Sequence, residues 1–444
     1  MKIGLFNDSF PPTIDGVANT MINYAQVLHA MGDNVTVVTP KYPNVIDEYP
    51  FDVFRYSSIP AKFVRNLPYR VGNPFSPVTV RKVYKMGFDI MHIHSPFVSS
   101  LLVNQVLDMS HKEIPLVITY HTKYDVDIKR YLSARNLQRL LERIVLGNIK
   151  KADEIWTVSK GTIDSLRALG YKGDVQIMPN GTDFPKGKAP RAAVEEIDRV
   201  YRTENEELVF LYCGRMMWYK NLKIILDALQ ILSNEGVNYK MFFVGDAPDR
   251  PSVEEYARKH GLMDRLFFTG GITDREKVRA FFTRADLLLF PSTYDTAGLV
   301  VKEAAACECP SALIAGSCAA EGVDDGFTGI LAEEETAESF ARALLAAVRQ
   351  PGLLKQLGQN AQQHIYSSWE DSIILARARY DVVVQEKKAK LAAAKKKGKN
   401  AANNKSKPKK KTETGAKAAA EKATGAETAS EPAGPVGTAE QSEQ

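Results

Sequence analysis

No stretch approaches about 18 uninterrupted apolar residues, so a membrane-spanning helix is not expected. The 444 residues include only four cysteines, Cys213, Cys307, Cys309 and Cys318. They form no CxxC pair and have no histidine at metal-ligand spacing. That excludes a zinc-ribbon or dithiol-redox reading and points to reduced thiols in a cytoplasmic setting. The first residues, MKIGLFNDSF, lack a basic segment followed by a long apolar one, and read as a strand rather than a secretory leader. GxGxxG is missing, so there is no dinucleotide fingerprint. The net charge of +5 is also less than it suggests: residues 387–444 hold 14 Lys and 6 Glu, a balance of +8, so the first 386 residues are net negative by three. A nucleic-acid partner is therefore not expected from the folded part.

What is present is a strand–helix alternation that runs through and then restarts. Strands are expected at Lys2–Asn7, Asn34–Pro40, Ile90–Ser95, Leu116–His121, Glu154–Ser159 and Val175–Asn180. Amphipathic helices are expected between them, for example Val17–Met31, Asn136–Lys150 and Gly161–Leu169. A second series reads Leu208–Gly214, Lys240–Asp246, Leu266–Gly271, Leu287–Pro291 and Ser311–Gly316. Apolar runs such as Leu116–Thr119 suit strands buried on both faces of a parallel sheet. The expected fold class is α/β, with two Rossmann-like doubly wound domains facing across a cleft. Domain one spans 1–185 and domain two 204–366, with the polar stretch Phe184–Thr203 as their connection. Residues 367–388 form a helix returning to domain one. Residues 389–444 are so poor in large aliphatics that they read as a disordered Lys/Ala-rich tail.

The residues with chemistry fall at the carboxyl ends of strands, where ligands of open α/β sheets bind. After the strand ending at Pro291 comes a loop with Asp295 and Gly298, then a helix opening at Leu299 and carrying Glu303. A helix start offers free N–H groups and a positive dipole end to an anion. Asp295 and Glu303 would repel phosphate but can accept hydrogen bonds from sugar or ribose hydroxyls. After the strand ending at Gly214, Arg215 and Lys220 flank a loop, and Asn221 is a good N-cap. Two cations beside a helix start suit a diphosphate. The first strand-to-helix loop places Gly16 where backbone can approach a ligand. His121 closes the strand of Thr119-Tyr-His-Thr122. Read singly, each of these admits a plain solvated or structural role; their coincidence at one cleft is the stronger observation.

With those residues in view, the chain resembles a retaining glycosyltransferase of the GT-B fold, of family 4, from Met1 to about residue 386. Gly214-Arg215 with Lys220-Asn221-Leu222 and the acidic pair Asp295/Glu303 carry the likeness. The VGD turn at Gly245, the FTGGI segment with Gly270 and Gly271, and Trp369-Glu370 add to it. The resemblance implies that Glu303 holds the nucleotide ribose and that Asp295 lies near the donor sugar. It implies that Arg215, Lys220 and the helix start at Gly298 and Leu299 grip the diphosphate, with Gly16 backing it. His121 would sit at the reaction centre, and backbone at Gly270 and Gly271 would meet the base. Catalysis would then rest on leaving-group stabilisation, with no metal or other cofactor and no Asp-x-Asp element on a loop facing the cleft. The chain departs from the family pattern in having Asp295 where Glu is usual, Glu308 for the usual Gly, and Ser317-Cys-Ala-Ala-Glu321 for the usual Gly-Gly segment.

The acceptor is expected on domain one. Lys129–Lys151 holds seven Lys or Arg, including Lys129, Arg130, Arg135, Arg139 and Arg143, among apolar residues and a single acid, Glu142. Such a basic amphipathic helix can lie on an anionic membrane, and Ala61–Arg70 is a second basic-aromatic stretch. The HTKYD run before the helix resembles glycosyltransferases that glucosylate diacylglycerol. The leading expectation is a peripheral enzyme on the inner face of the cell membrane, moving a hexose, as from UDP-glucose, to a lipid. A polysaccharide or soluble acceptor, and a non-catalytic sugar-nucleotide-binding domain, are the alternatives.

Overall fold

The strands are short, the central ones are buried, and all pair in parallel within two sheets; a small antiparallel hairpin stands apart. A computed structural model describes residues 1–13, 15–60, 70–203 and 208–405. The first series runs β1 (Lys2–Phe6), α1 (Gly16–Ala30), β2 (Asn34–Pro40), β3 (Asp52–Tyr56), the hairpin β4 (Ser58–Pro60) and β5 (Arg70–Gly72), α2 (Pro77–Lys85) and β6 (Ile90–Ile93). It continues with α3 (Val98–Met109), β7 (Leu116–Tyr120), α4 (Tyr124–Tyr131), α5 (Arg135–Ile149), β8 (Glu154–Thr157), α6 (Gly161–Ala168) and β9 (Gln176–Ile177). The sheet order is β3-β2-β1-β6-β7-β8-β9. Chain direction across the sheet reverses between β1 and β6, which leaves a crevice at their carboxyl ends.

The second series runs α7 (Arg191–Tyr201), β10 (Leu208–Cys213), α8 (Leu222–Asn234), β11 (Tyr239–Val244), α9 (Arg250–Lys259), β12 (Leu266–Gly270), α10 (Arg275–Arg284) and β13 (Leu287–Leu289). Then follow α11 (Leu299–Ala306), β14 (Ser311–Ile314), β15 (Gly329–Ala332), α12 (Ala337–Val348), α13 (Leu353–His364) and α14 (Trp369–Lys405). The order β12-β11-β10-β13-β14-β15 reverses between β10 and β13.

Each sheet is buried on both faces by helices. On the first, α2, α3 and α5 cover one face through Val80, Leu102, Val106, Val145 and Ile149. On the other face α1 packs Met21, Tyr24 and Leu28 beside Trp369, Ile373, Tyr380 and Val383 of α14. The Trp156 and Tyr380 rings stack 5.2 Å apart, a contact worth about 0.5–1.5 kcal/mol beyond area burial. Arg377 donates to Asp33, Arg379 to Glu154 and Lys387 to Asp153, which fixes α14 along its length.

Several elements differ from the sequence reading. The stretch 129–151 is two helices, because the chain turns extended at Leu132 and packs that side chain against the core. The stretch Phe184–Thr203 contains α7, whose Val194, Ile197 and Tyr201 recur at helical spacing and pack on the second core. Helix α14 extends beyond residue 388 to Lys405, in keeping with the high helix propensity of its Ala, Lys and Gln. By compactness the chain divides after Ala392. The remainder of the expected tail, 406–444, lies outside the described residues, as does most of the basic stretch Ala61–Arg70.

Candidate functional site

On the second sheet the two loops at the β10/β13 crevice meet through a buried ion pair. Lys220, 6% exposed, closes a short 3-10 turn (Trp218–Lys220), and its Nζ donates to both Asp295 oxygens at 2.7 and 2.9 Å. Ser292 Oγ also donates to Asp295, at 2.5 Å. Burial alone would raise the Asp295 carboxyl, but Lys220, Ser292 and nearby Arg215 together hold it below the ordinary aspartate range. Asn221 does not cap α8 with its side chain. It sits at φ +61° and donates instead to Pro291 O and Glu335, stitching the same two loops together.

The loop then enters α11 through Gly298, at φ +53°. A Cβ there would stand 2.8 Å from Ala319 Cα, so both backbone conformation and crowding demand glycine. Five residues on, Glu303 accepts from Arg275 Nη2 at 2.6 Å, and the same guanidinium donates to both Asp183 oxygens. Burial raises the Glu303 carboxyl, and Arg275 only partly offsets it. Glu303, Arg275 and Lys220 all act electrostatically on Cys213 at the end of β10, so the two ion clusters share one neighbourhood. Gly270 ends β12 beside the Gly245 turn, where Gly245 N donates to Gly270 O at 2.9 Å, and Gly271 follows it.

The first sheet presents histidines instead. His94 follows β6 and His121 follows β7; His94 Nδ1 and His121 Nε2 are 2.9 Å apart, with the rings stacked. His92, inside β6, bonds Tyr380 OH and Thr119 Oγ1. Tyr24 lies edge-on to both His92 and His94. Burial pushes His121 down to about 3 and the other two well below the usual histidine value, so all three are neutral near pH 7. Gly16 opens α1, with open space where a Cβ would be.

The two domains touch directly around these groups. Thr296 Oγ1 donates to His121 O at 2.7 Å, and Lys123 Nζ to Thr293 O at 2.9 Å. Leu299 packs against the core under α1. Glu321 accepts from the Lys160 and Gly161 amides at the start of α6, at 2.7 and 2.6 Å. One Asp-x-Asp does reach the cleft, but on the first turn of α4 rather than on a loop: Asp125 accepts from Ser165, and Asp127 from Tyr294. Among the described residues, no group of three or more His, Cys, Asp or Glu is placed to hold a metal ion.

The basic residues divide between two places. Arg135, Arg139 and Arg143 lie exposed on α5, beside exposed Leu137, Leu140 and Ile144. Lys129 is exposed at the end of α4. Arg130 is exposed too, but its guanidinium carbon lies 4.0 Å from the Tyr219 ring and 4.6 Å from the Tyr294 ring, both of domain two. The sequence reading missed Arg275, Asp183, His92, His94 and the two tyrosines. The His-x-His spacing in a buried strand was the one available signal; the others are paired only by the fold.

Residues 14–184 match the model of glycosyltransferase family 4, and residues 193–364 that of glycosyl transferases group 1. The chain is 27% identical over 375 residues to the alpha-monoglucosyldiacylglycerol synthase of Acholeplasma laidlawii, covering 82% of this chain and 92% of that one. It is 25% identical to the synthase of that name from Streptococcus pneumoniae, covering 70% of each. Among solved structures, sucrose-phosphate synthase from Thermosynechococcus elongatus superposes with a TM-score of 0.68 at 20% identity, over 87% of this chain and 100% of that one. Anabaena HepE in complex with UDP superposes at 0.66 and 17% identity, over 88% of this chain and 100% of that one. No helix among the described residues is long and apolar enough to cross a membrane.

Proposed function

The chain belongs to the glycosyltransferases of group 1 and family 4, enzymes of the two-domain GT-B fold, and from that premise we propose that it is a retaining hexosyltransferase moving glucose from UDP-glucose to diacylglycerol at a membrane surface. The observation that carries the donor half is the joined cluster at the β10/β13 crevice. Asp295 takes two of the three Lys220 donors and fixes the ammonium in place. The third donor, Arg215 and the first turn of α11 then face the departing diphosphate. Charge prepositioned in this way needs no reorganisation when the glycosidic bond breaks, and one such donor is worth about 3–4 kcal/mol. Arg275 occupies one oxygen of Glu303, and the other accepts the ribose hydroxyls. Gly16 backs the diphosphate, Gly270 and Gly271 frame the base, and neutral His121 borders the sugar without competing for the phosphate charge. No divalent metal has a role in this scheme, so a chelator is expected to leave turnover intact.

For the acceptor half, Leu137, Leu140 and Ile144 stand exposed at i, i+3 and i+7 on α5, with Arg139 and Arg143 alongside. Apolar residues bordered by cations suit the interface of an anionic membrane, and the relatives named for diacylglycerol glucosylation favour a lipid acceptor. The site of action would be the cytoplasmic face, peripherally bound. The test is transfer by the purified protein from a panel of nucleotide sugars, with and without diacylglycerol in anionic liposomes. Glucosylated diacylglycerol from UDP-glucose is expected. Transfer to a soluble or polysaccharide acceptor, with none to lipid, would overturn the acceptor assignment.

A further inference from the structure

We infer that Arg130 is a positioning residue for the donor: it clamps the two donor loops of domain two onto domain one. Arg130 stands in the last turn of α4, with its guanidinium carbon 4.0 Å from the Tyr219 ring and 4.6 Å from the Tyr294 ring. Those rings are themselves 4.6 Å apart. One turn earlier on the same helix, Asp127 accepts from the Tyr294 hydroxyl. A single helix of domain one thus holds both tyrosines, by a cation on the ring faces and by a carboxylate on one hydroxyl.

Chain position gives the contact its consequence. Tyr219 immediately precedes Lys220, and Tyr294 immediately precedes Asp295. The clamp therefore grips each loop one residue from the ion pair that joins them. Lys123 on Thr293 and Thr296 on His121 bind the second loop to the same part of domain one. With Arg130 in place, α4 adds to the Thr296–His121 bond in fixing both loops, and with them the Lys220–Asp295 pair, against domain one. Without it, the second loop keeps its Asp127, Lys123 and His121 contacts, but the cation that caps the Tyr219 and Tyr294 rings together is lost. Donor use is sensitive to such displacement, since a misplacement of about 1 Å can cost on the order of 100-fold.

The inference rests on the proposed donor site but predicts a pattern that neither a membrane role nor a merely structural one produces. Arg130→Met is expected to raise the donor KM about tenfold, with equal losses in donor hydrolysis and lipid transfer. Liposome binding and Tm should stay unchanged, and Arg130→Lys should recover part of the loss. Combined with Tyr219→Leu, the effects should be less than additive, because both remove one contact. Lost liposome binding with intact donor hydrolysis would return Arg130 to the membrane face and overturn the clamp. So would full additivity with Tyr219→Leu. If wild type is inert with every nucleotide sugar, the functional reading fails by itself. Hydrogen exchange then judges the clamp: Arg130→Met should speed amide exchange in the loop 218–221, and unchanged protection there would overturn it.

Discussion

The two sheet edges that meet in this molecule solve the problem of burying polar groups in opposite ways. On the second sheet Lys220, Asp295, Arg275, Asp183 and Glu303 are charged, and each is held by a partner of opposite sign. On the first sheet His92, His94 and His121 are neutral rings: His94 and His121 hydrogen-bond and stack, His92 bonds Tyr380, and Tyr24 meets His92 and His94 edge-on. Buried charge is costly unless paired, whereas a buried neutral ring needs only hydrogen bonds. The pairing fixes each charge in place, and in the proposed reaction Lys220 is the member of this set that would face a departing diphosphate. The histidine wall adds no charge of its own, so it can border a sugar without drawing the phosphates away.

The largest expected effects come from attacking the charged wall. Lys220→Ala and Glu303→Ala should each lower turnover about 100-fold or more, as measured by donor hydrolysis. Circular dichroism must accompany the assay, because removing one partner of a buried pair can itself cost about 3–5 kcal/mol. His121→Ala removes a hydrogen-bonding ring but no charge, and should cost about tenfold. Equal losses on both walls would break the comparison.

The acceptor face comes next. Neutralising Lys129, Arg135, Arg139 and Arg143 together should reduce transfer to lipid several-fold while sparing donor hydrolysis, with liposome sedimentation weakened across a salt series. Unchanged binding and lipid transfer would make α5 a solvated face and remove its role. Arg130 is left out of that set, because its contacts assign it to the donor loops.

The pH profile sharpens the contrast further. Ionised Glu303 offers both oxygens as acceptors and pairs with Arg275, whereas protonation removes that charge and one acceptor, and burial raises its pKa. Activity should therefore fall, as pH drops, through a value above the ordinary glutamate range, and Glu303→Gln should abolish that limb. Asp295, held below the aspartate range, keeps its charge through the same interval. His121, pushed down to about 3, contributes no limb near neutrality. A limb near pH 6.5 that disappears in His121→Asn would show a charged histidine wall. The smallest effect is expected from deleting residues 406–444, whose six lysines are offset by six glutamates; only the basic run 407–411 can add attraction to an anionic liposome, so binding should weaken slightly and only at low salt.

The two α/β series, their parallel sheets and the strand-end position of Arg215, Lys220, Asp295, Glu303 and His121 were legible in the sequence. Buried parallel strands are continuous apolar runs, and loops beyond them are short. Helix α7 was missed although Val194, Ile197 and Tyr201 recur at helical spacing, because the polar, Pro- and Lys-containing residues before it made the whole stretch read as a connection. The break between α4 and α5 was hidden because Leu132 fits a helical pattern and only packing turns it inward. Pairing was the deeper gap. Asp183 and Arg275 lie 92 residues apart, His92 and Tyr380 288 apart, and Tyr294 and Asp127 167 apart. Local sequence determines which residue types stand at a strand end, because that depends on periodicity and turns. Which of them neutralise one another, and that Arg130 lies over two tyrosine rings of domain two, depends on how the two sheets and their helices are brought together, and so was decided by the tertiary structure alone.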